Sequence, residues 1–395
     1  MQERVKLAIV IPRYGKDILG GAETLARGLA ERLPRSDFDV EVLTTCANDL
    51  ASWRNVYPSG PTAVNGVPVT RFRIDHRFRD EARFWELLGK FMNGCPTTVD
   101  EEYEWIDHSA HSPALYSYIL ERGRQFDFLI FIPYLYGTTF YGTTLLPDRS
   151  IVWPCLHDEV FAYFLQTRLM LESCRGVMFN SKPEMTLAQE TLGVQNPGAR
   201  VVGGWVDEYE ANPQRFRNAF DLHDPFVLYA GRLATMKNVL ELFWFFVEYN
   251  RRHPGPLKLV LVGKGALRIP SHPDVITLGF LPEQDKLDAY AAATVVCQPS
   301  LKESFSITVM ESWLAGVPVL VHGRCNVTRH HVLHSNGGLC YVGLEEFIGA
   351  LDWLISHPHK RAEMGRLGRS YVLAEHSWET VLDRFRSALE VWESL

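Results

Sequence analysis

Short apolar runs rich in β-branched residues alternate with helix-like patterns along almost the whole chain. Runs such as LAIVIP (7–12), FLIFI (128–132) and FVLYAG (226–231) are continuously apolar, which is typical of parallel strands that are buried on both faces. Between such runs, segments such as 22–33 place apolar residues at i, i+3 and i+4, the spacing of one helix face. This alternation predicts an α/β fold built on doubly wound parallel sheets.

The chain of 395 residues is long enough for two such domains. A polar stretch at 207–224 separates the two halves and is followed by a new strand. We expect a first domain over 1–208 with an insertion at 76–118, a second domain over 209–372, and a final segment over 373–395. The predicted strands are 6–12, 39–45, 67–73, 127–133, 150–156, 175–180, 199–203, 226–231, 257–262, 274–278, 294–298 and 317–321.

Charge and cysteine content exclude several classes of protein. The net charge is −7, and neutralising duplex phosphates requires a basic face, so no nucleic-acid partner is expected. The seven cysteines form no C-x-x-C pair, which favours a reducing cytoplasm over a disulfide framework or a zinc site. No apolar run reaches the ~18 residues of a membrane span. The first apolar run is broken by Pro12 and is predicted to be a buried strand, not a signal peptide.

Three loops that follow predicted strands carry candidate binding residues. In open α/β sheets, ligands bind beyond the carboxyl ends of the strands. Gly20 and Gly21 open a helix after the first strand, where free amides suit a phosphate; the alternative is a structural glycine pair with Glu23 complementing the helix dipole. Arg232 and Lys237 follow the first strand of the second domain and can converge on a diphosphate, although solvated loop charges are the simpler interpretation.

The third loop, KESFSITVMESWLAGVPVLV (302–321), is the most specific. Glu303 lies on the loop, a helix is predicted to begin near Ser306, and Glu311 lies inside that helix. The amides at 305–307 and the helix dipole favour an anionic phosphate, and the two carboxylates can accept hydrogen bonds from sugar hydroxyls. The alternative is one acid at a helix start and one on a helix surface.

In their order along the chain, these motifs resemble those of the GT-B glycosyltransferases of family 4. The resemblance rests on Gly20-Gly21-Ala22-Glu23, Gly231-Arg232-Leu233 with Lys237, and Glu303 and Glu311 around Ser-Phe-Ser. It extends over nearly the whole chain and is weakest over 76–118. Further segments that fit are Asn180-Ser181, VVGGWVD (201–207), Val262-Gly263-Lys264-Gly265, 278–300 and Ser377-Trp378.

The resemblance implies two Rossmann-like domains facing each other across a cleft, with a C-terminal helix crossing back to the first domain. It further implies a retaining transferase that needs no metal or other cofactor. The expected catalytic residues are Arg232 and Lys237 on the pyrophosphate, Glu303 on the sugar, and His157 near the reacting sugar. The expected donor-binding residues are Gly20, Gly21, Gly231, Gly263, Gly279, Phe280, Leu281, Ser304, Phe305, Ser306, Ile307 and, on the ribose, Glu311.

The sequence departs from the family pattern at several positions. Ser304 and Ser306 stand where glycines are usual, and Asn238 replaces the glycine expected after Lys237. Trp205 also replaces a glycine. The Glu-Ile motif that often follows the next strand is absent, and residues 325–338 occupy its place. These changes leave the identity of the donor sugar open.

Other features favour structural interpretations. Asp37 and Asp39 spell D-x-D, but they precede a strand at its amino end, away from the ligand edge. His330, His331 and His334 lack the spacing and the carboxylate partner of a metal site. The apolar segment 239–249 is predicted to be a core helix, with a dimer or membrane contact as the alternative. The basic and aromatic stretch 71–85 is expected to be a solvated rim, the alternative being contact with an anionic membrane.

The sequence therefore predicts a cytoplasmic glycosyltransferase, with peripheral contact at the inner membrane face as a variant of that location. Its expected partners are a nucleotide-diphosphate sugar and a glycan, lipid-linked glycan or other glycoconjugate acceptor of the kind used in surface-polysaccharide or natural-product synthesis. A nucleotide-sugar epimerase on the same fold is the first alternative, because fold does not fix function. A non-catalytic nucleotide-sugar-binding protein is the second.

Overall fold

The computed structural model describes residues 4–18, 20–50, 52–77 and 79–395. The chain divides into two compact units. The first comprises Met1–Val202 and Leu382–Leu395, and the second comprises Gly203–Val381. The sequence places the first boundary after residue 208, in the polar stretch that follows the last strand of the first unit.

The first unit holds one mostly parallel sheet. Within the described residues, the strands are arranged in the order β3-β4-β2-β1-β5-β6-β7-β8, and only β3 runs antiparallel to its neighbour. The central strand β1 is buried along most of its length, which explains its continuous apolar sequence. The strands are β1 (Val5–Ile11), β2 (Phe38–Thr45), β3 (Gly60–Val64), β4 (Val67–Phe72), β5 (Phe128–Phe131), β6 (Ser150–Val152), β7 (Gly176–Phe179) and β8 (Ala199–Val201).

Helices connect these strands and cover the sheet. The predicted insertion at 76–118 contains three helices in a row, and its Trp105 stacks on Phe161 at a ring distance of 4.5 Å. Trp105 is buried, so this aromatic segment contributes to the core of the first unit. The helices are α1 (Gly21–Arg32), α2 (Glu81–Met92), α3 (Val99–Asp107), α4 (Pro113–Arg122), α5 (Gly137–Leu145), α6 (Leu165–Ser173) and α7 (Lys182–Thr186).

The second unit holds an all-parallel sheet. Its strand order, β11-β10-β9-β12-β13-β14, reverses direction between β9 and β12, as in a doubly wound dinucleotide-binding fold. The strands are β9 (Phe226–Ala230), β10 (Lys258–Val262), β11 (Val275–Gly279), β12 (Val295–Gln298), β13 (Val319–His322) and β14 (Gly338–Tyr341). The helices are α8 (Pro213–Phe220), α9 (Val239–Arg252), α10 (Glu283–Ala292), α11 (Ile307–Leu314), α12 (Asn326–Ser335), α13 (Leu344–Ser356) and α14 (Pro358–Glu375), and α15 (Trp378–Ser394) begins in this unit.

The two doubly wound sheets confirm the predicted fold class, with three corrections to the strands. The sequence prediction omits β3 and β14, which are both short edge strands. The strand predicted at 150–156 ends at Val152. Beyond it, Cys155 adopts a left-handed conformation with φ 52°, which is incompatible with a continuing strand.

Helix α9 lies in the core of the second unit, as its apolar sequence predicts. Val239, Leu242 and Phe246 are fully buried, whereas Trp244 remains 57% exposed. Helix α15 begins at Trp378, and its residues from Leu382 belong to the first unit. There Trp392 is buried and donates its ring N–H to the Gly198 carbonyl at 2.7 Å.

Candidate active site

The most specific sequence motifs meet at the point where the strand order of the second unit reverses. The loop after β9 carries Arg232 and Lys237, and the loop after the neighbouring strand β12 carries Glu303. The Thr308 hydroxyl, at the start of α11, donates to the Ala230 carbonyl at 3.3 Å and ties that helix to the end of β9. This edge is where doubly wound sheets bind their ligands.

Three glycines let the ends of neighbouring strands approach closely. Gly231, Gly263 and Gly279 end or follow β9, β10 and β11. The Gly231 amide donates to Val262, and the Gly263 amide donates to Gly279. A Cβ atom on Gly263, where φ is +138°, would lie 1.8 Å from the Gly231 carbonyl oxygen. Packing therefore requires glycine at position 263, and the left-handed φ of +72° favours glycine at position 279, whatever their role toward a ligand.

The cations of the β9 loop differ in their surroundings. The Lys237 Nζ lies 2.7 Å from Glu303 Oε1, and both side chains are largely shielded from solvent. Arg232 is exposed, and no acidic side chain among the described residues pairs with its guanidinium. The Tyr229 hydroxyl donates to the Arg232 carbonyl at 2.8 Å and fixes the backbone of the loop. A fixed backbone with an unpaired arginine is suited to bind an anion.

Two of the positions that depart from the family pattern, Asn238 and Ser306, have the backbone conformation for which glycine is usual. Asn238 has φ 57° and Ser306 has φ 74°, so both occupy the left-handed region in which glycine is usual. Asparagine tolerates that region better than most residues, and the Asn238 amide donates to Glu241 at 2.8 Å. Ser306 occupies the N-cap position of α11 but makes no side-chain capping hydrogen bond, and the first amides of that helix have no partner within it.

Glu311 is bound by residues that the sequence did not point to. Lys286 of α10 lies 2.9 Å from its Oε1, and the hydroxyl of buried Tyr290 also hydrogen-bonds its carboxylate. Burial raises the pKa of the Glu311 carboxyl, and the positive charge of Lys286 opposes that shift. The carboxylate retains lone pairs for additional donors, as the predicted ribose contact requires.

The segment predicted to hold the base presents one exposed ring. Phe280 is 55% exposed, and the Lys264 Nζ lies 5.9 Å from the centre of its ring. The neighbouring Leu281 is buried in the core of the second unit. Of this pair, Phe280 is therefore the residue available for stacking. Ser304 and Phe305 are also buried, so any ligand contact by them is through the backbone or a shielded side-chain edge.

In the first unit, a carboxylate lies against Gly20, one of the two glycines of the predicted phosphate site. A Cβ atom on Gly20 would lie 2.0 Å from the Glu23 carboxylate. That carboxylate pairs with the buried Arg13, which also donates to the Asn48 carbonyl at 3.1 Å. These contacts are those expected if the glycine pair is structural and Glu23 complements the dipole at the start of α1. The donor-binding role of the glycine pair stays a prediction.

His157 lies on the loop that follows β6. Its side chain is 27% exposed, and its Nδ1 lies 3.6 Å from Glu159 Oε1. Glu159 in turn accepts a hydrogen bond from Tyr134 at 2.9 Å. A carboxylate at this distance can orient the imidazole and leave Nε2 for another partner.

A buried acid that sequence reasoning missed supports the His157 loop. The Glu184 carboxylate accepts hydrogen bonds from the backbone amides of Leu156 and Asn180, both at 2.5 Å. Burial raises the pKa of Glu184 to about 8, and the backbone amides oppose the shift. The pattern Ser181-x-x-Glu184 after a strand is a helix-capping signal, so the sequence contained a clue to this residue.

The Asp37 and histidine side chains that were considered as metal ligands have other contacts in the structure. Asp37 pairs with Arg386 at 2.6 Å at the amino end of β2, away from the ligand edge. His331 is buried, whereas the ring centres of His330 and His334 lie 3.8 Å apart, with the ring planes tilted by 38°. Within the described ranges, no group of three or more His, Cys, Asp or Glu side chains is arranged to hold a metal ion.

Several of the basic residues in the 71–85 stretch have partners within the first unit. Arg71 is buried and donates to the Tyr14 carbonyl at 2.7 Å. Arg77 pairs with Asp75, and Arg83 pairs with Glu104. Phe78 of this stretch lies outside the described residues. In the described part of the chain, no helix has the length and apolar character needed to cross a membrane, and peripheral membrane contact stays a prediction.

Comparisons with known proteins show what this chain is similar to. Residues 210–371 match the family model "Glycosyl transferases group 1". The uncharacterized glycosyltransferase MJ1607 of Methanocaldococcus jannaschii is 24% identical over 95% of this chain and 96% of its own length. A D-inositol 3-phosphate glycosyltransferase of Rhodococcus erythropolis is 30% identical over 56% of each chain.

Solved structures define the fold. The sucrose-phosphate synthase of Thermosynechococcus elongatus has a TM-score of 0.73 at 15% identity, and covers 99% of this chain and all of its own. The Anabaena Alr3699/HepE structure in complex with UDP has a TM-score of 0.71 at 16% identity, with the same coverage. The chain has the GT-B fold, and together with the family match this supports glycosyltransferase activity.

Proposed function

We propose that the chain is a retaining glycosyltransferase that moves a sugar from a nucleotide-diphosphate sugar to a glycan, lipid-linked glycan or other glycoconjugate. The observation that carries the proposal is the grouping of Arg232, Lys237, Glu303 and the start of α11 at the strand-order reversal of the second unit. Two cations, a helix start and a carboxylate are the groups needed to bind a diphosphate joined to a sugar.

The names of similar proteins support the donor class. Several relatives are D-inositol 3-phosphate glycosyltransferases, and one from Corynebacterium glutamicum is a GDP-mannose-dependent mannosyltransferase. Structures of the Anabaena protein were obtained with UDP and with UDP-glucose. We propose that this chain also uses a nucleotide-sugar donor, whose base and sugar are not specified.

In the proposed complex, Glu311 binds the ribose, and Phe280 lies near the base. Arg232, Lys237 and the leading amides of α11 bind the diphosphate, and Glu303 binds the sugar. Lys237, which binds the diphosphate in this proposal, forms an ion pair with Glu303, which binds the sugar. The diphosphate and the sugar would therefore bind next to each other. We place the acceptor and His157 on the first unit.

In the proposed reaction, the bond from the anomeric carbon to the diphosphate oxygen breaks, and the acceptor oxygen bonds to the same face of that carbon. The acceptor proton passes to the departing diphosphate. Negative charge grows on the diphosphate as the bond breaks, so cations and amides already fixed in place stabilise the transition state more than the ground state.

An assay with a panel of nucleotide sugars tests the proposal. We expect nucleotide release that increases when an acceptor is present. An epimerase would convert the donor without net nucleotide release, and a binding protein would do neither. Either result would contradict the proposed transfer.

A thermal-shift screen against UDP, GDP, ADP and dTDP sugars should identify the donor. A ligand that binds only the native state raises the melting temperature with its occupancy. We expect one base to give the largest shift, and the same shift should shrink in Glu311→Ala. Equal small shifts with all four bases would contradict a specific nucleotide site.

Chelation should leave the activity intact, since we propose that cationic side chains and amides bind the diphosphate. We expect the rate in excess EDTA to equal the rate in buffer. Activity that is lost with EDTA and restored only by Mg²⁺ or Mn²⁺ would contradict metal independence.

Replacing His157 with alanine should reduce turnover more than donor binding. A group that meets the reacting sugar contributes mainly in the transition state, so kcat should fall about tenfold, or about 1.4 kcal/mol. The melting temperature should stay near wild type, because the His157 side chain is partly exposed and its nearest acidic neighbour, Glu159, lies 3.6 Å away. Nucleotide affinity should also stay near wild type. A less stable variant with normal specific activity would remove His157 from the site.

A further inference from the structure

The turn that precedes α11 is anchored by one aromatic side chain. Phe305 lies between Glu303 and the cap residue Ser306, and its side chain is buried. Its ring packs directly on Gly204, where an added Cβ atom would lie 2.7 Å from the Phe305 ring. The backbone on both sides of Phe305 is the part of the turn assigned to the sugar and the distal phosphate. The position of that ring therefore sets the position of the turn.

Two buried histidines contact the Phe305 ring, and a tyrosine hydroxyl lies between them. The ring centres of His376 and His331 lie 5.1 Å and 6.0 Å from that of Phe305. His331 Nδ1 lies 2.9 Å from the Tyr371 hydroxyl, and the same hydroxyl lies 3.4 Å from His376 Nε2. His376 Nδ1 lies 3.0 Å from the Gly204 carbonyl oxygen. The last residue of this series of contacts, Gly204, is also the residue on which the Phe305 ring packs.

The Gly204 carbonyl fixes the direction of the hydrogen bond that it shares with His376. A carbonyl only accepts, so His376 Nδ1 carries a proton and donates to Gly204. In a neutral His376, Nε2 then accepts from the Tyr371 hydroxyl. The Tyr371 oxygen is left to accept from His331 Nδ1. With His376 neutral, these contacts form one directed series of hydrogen bonds, from His331 to Tyr371 to His376 to Gly204.

We propose that His331, Tyr371 and His376 are positioning residues for the turn at 303–307, and that they act through Phe305. The proposal rests on the donor site proposed above and assigns that site a support formed by α12, α14 and the segment after Gly203. A displaced Phe305 would move the amides at the start of α11 away from the distal phosphate. The ribose contact through Glu311 lies farther along α11 and does not depend on this turn.

This difference provides a test by binding alone. The variant Tyr371→Phe removes the bridging hydroxyl and keeps the ring. We expect its affinity for a nucleoside diphosphate to fall about tenfold, as for a misplaced charge-assisted hydrogen bond. Its affinity for the matching monophosphate should change less than about twofold, because the monophosphate lacks the distal phosphate. The probes are UDP and UMP, or the GDP, ADP or dTDP pair selected by the thermal-shift screen.

The neighbouring Val372 offers a matched control. It is buried on the same helix but is not part of the hydrogen-bonded series. Val372→Ala should lower the melting temperature while leaving the ratio of diphosphate to monophosphate affinity unchanged. A general loss of stability in Tyr371→Phe would affect both nucleotides alike, whereas a displaced turn affects only the diphosphate.

Conservative variants and a double-mutant cycle test the route through Phe305. His376→Asn can still donate to the Gly204 carbonyl, so it should retain more diphosphate affinity than His376→Ala. In a Phe305→Leu background, Tyr371→Phe should lower that affinity by less than about twofold further, since residues acting through one another are not additive. If the fold losses of diphosphate affinity in Tyr371→Phe and Phe305→Leu multiply in the double variant, the proposed route through Phe305 is overturned.

The outcomes separate this inference from the proposed function. Wild-type protein that binds no nucleoside diphosphate overturns the proposed function and this inference with it. Wild-type protein that binds and turns over the donor, with unchanged affinities in Tyr371→Phe and His376→Ala, overturns this inference alone. Parallel losses for the diphosphate and the monophosphate assign the three residues to stability only and also overturn it.

Discussion

Replacing Arg232 with alanine should lower kcat about 100-fold or more, at nearly unchanged melting temperature. Removing one preorganised group that stabilises transition-state charge typically costs a factor of about 100 to 1,000. The guanidinium is exposed and has no acidic partner among the described residues, so its loss leaves no buried charge behind. Steady-state kinetics with the identified donor and a melting curve on the same preparation provide the measurement.

Lys237→Ala should cause a similar loss of kcat, but with a lower melting temperature. Its Nζ lies 2.7 Å from Glu303, whose side chain is only 11% exposed. Removing the lysine therefore leaves a largely shielded carboxylate without its partner, which is destabilising. Arg232→Ala and Lys237→Ala should therefore lower kcat alike. Only Lys237→Ala should also lower the melting temperature, because only Lys237 pairs with a shielded carboxylate.

Arg366→Ala is the matched control for both variants. Arg366 is an exposed arginine on α14 of the same unit and is not part of the proposed site. Its removal should change neither kcat nor the melting temperature. Turnover of Arg232→Ala within about threefold of wild type, or about 0.65 kcal/mol, would contradict an electrostatic role for this residue.

The part of the site that could be predicted consists of residues whose signals are local in the sequence. Gly231 and Gly263 directly follow apolar strands, and glycine at such a position indicates close approach of the backbone. Arg232, Lys237 and Glu303 follow neighbouring strands at one edge of the sheet. For these residues, the alternation of strands and helices was sufficient to bring distant positions together.

The partners of the predicted residues could not be obtained in the same way. Lys286 reaches Glu311 from α10, and Tyr371 reaches His331 from α14. These contacts depend on how far each helix is rotated about its axis and where it packs on its neighbour. Periodicity identifies the buried face of a helix but not which side chain on that face meets which partner.

The two omitted strands illustrate a different limit. Asn65 and Gly66, with φ of 49° and 79°, form the two-residue turn that joins β3 to β4. Asn-Gly between strands is a strong hairpin signal, so β3 was predictable from the sequence. The four-residue strand β14 has no comparable turn signal, and its pairing with β13 decides its conformation.

Glu311→Ala should weaken nucleotide binding by about 1.5–3 kcal/mol, the usual value of a hydrogen bond to a charged group. This corresponds to a loss of affinity of roughly tenfold to more than a hundredfold. Burial raises the pKa of this carboxyl, so it gains a proton at a higher pH than an exposed glutamate does. Because protonation removes its charge, affinity should fall as the pH is lowered toward that pKa, and Glu311→Gln should lose this pH dependence.

The control for Glu311 is an acid that contacts the same lysine. Glu283 Oε1 also lies 2.9 Å from Lys286 Nζ, but its side chain is 71% exposed, against 14% for Glu311. Glu283→Ala should leave nucleotide affinity unchanged, because only Glu311 lies on the helix that begins at the proposed phosphate site. Calorimetry is performed well below the melting temperature of each variant, since the loss of Glu311 leaves Lys286 without its shielded partner. Equal affinities for wild type and Glu311→Ala would contradict the ribose contact, whereas equal losses in both variants would assign the effect to Lys286.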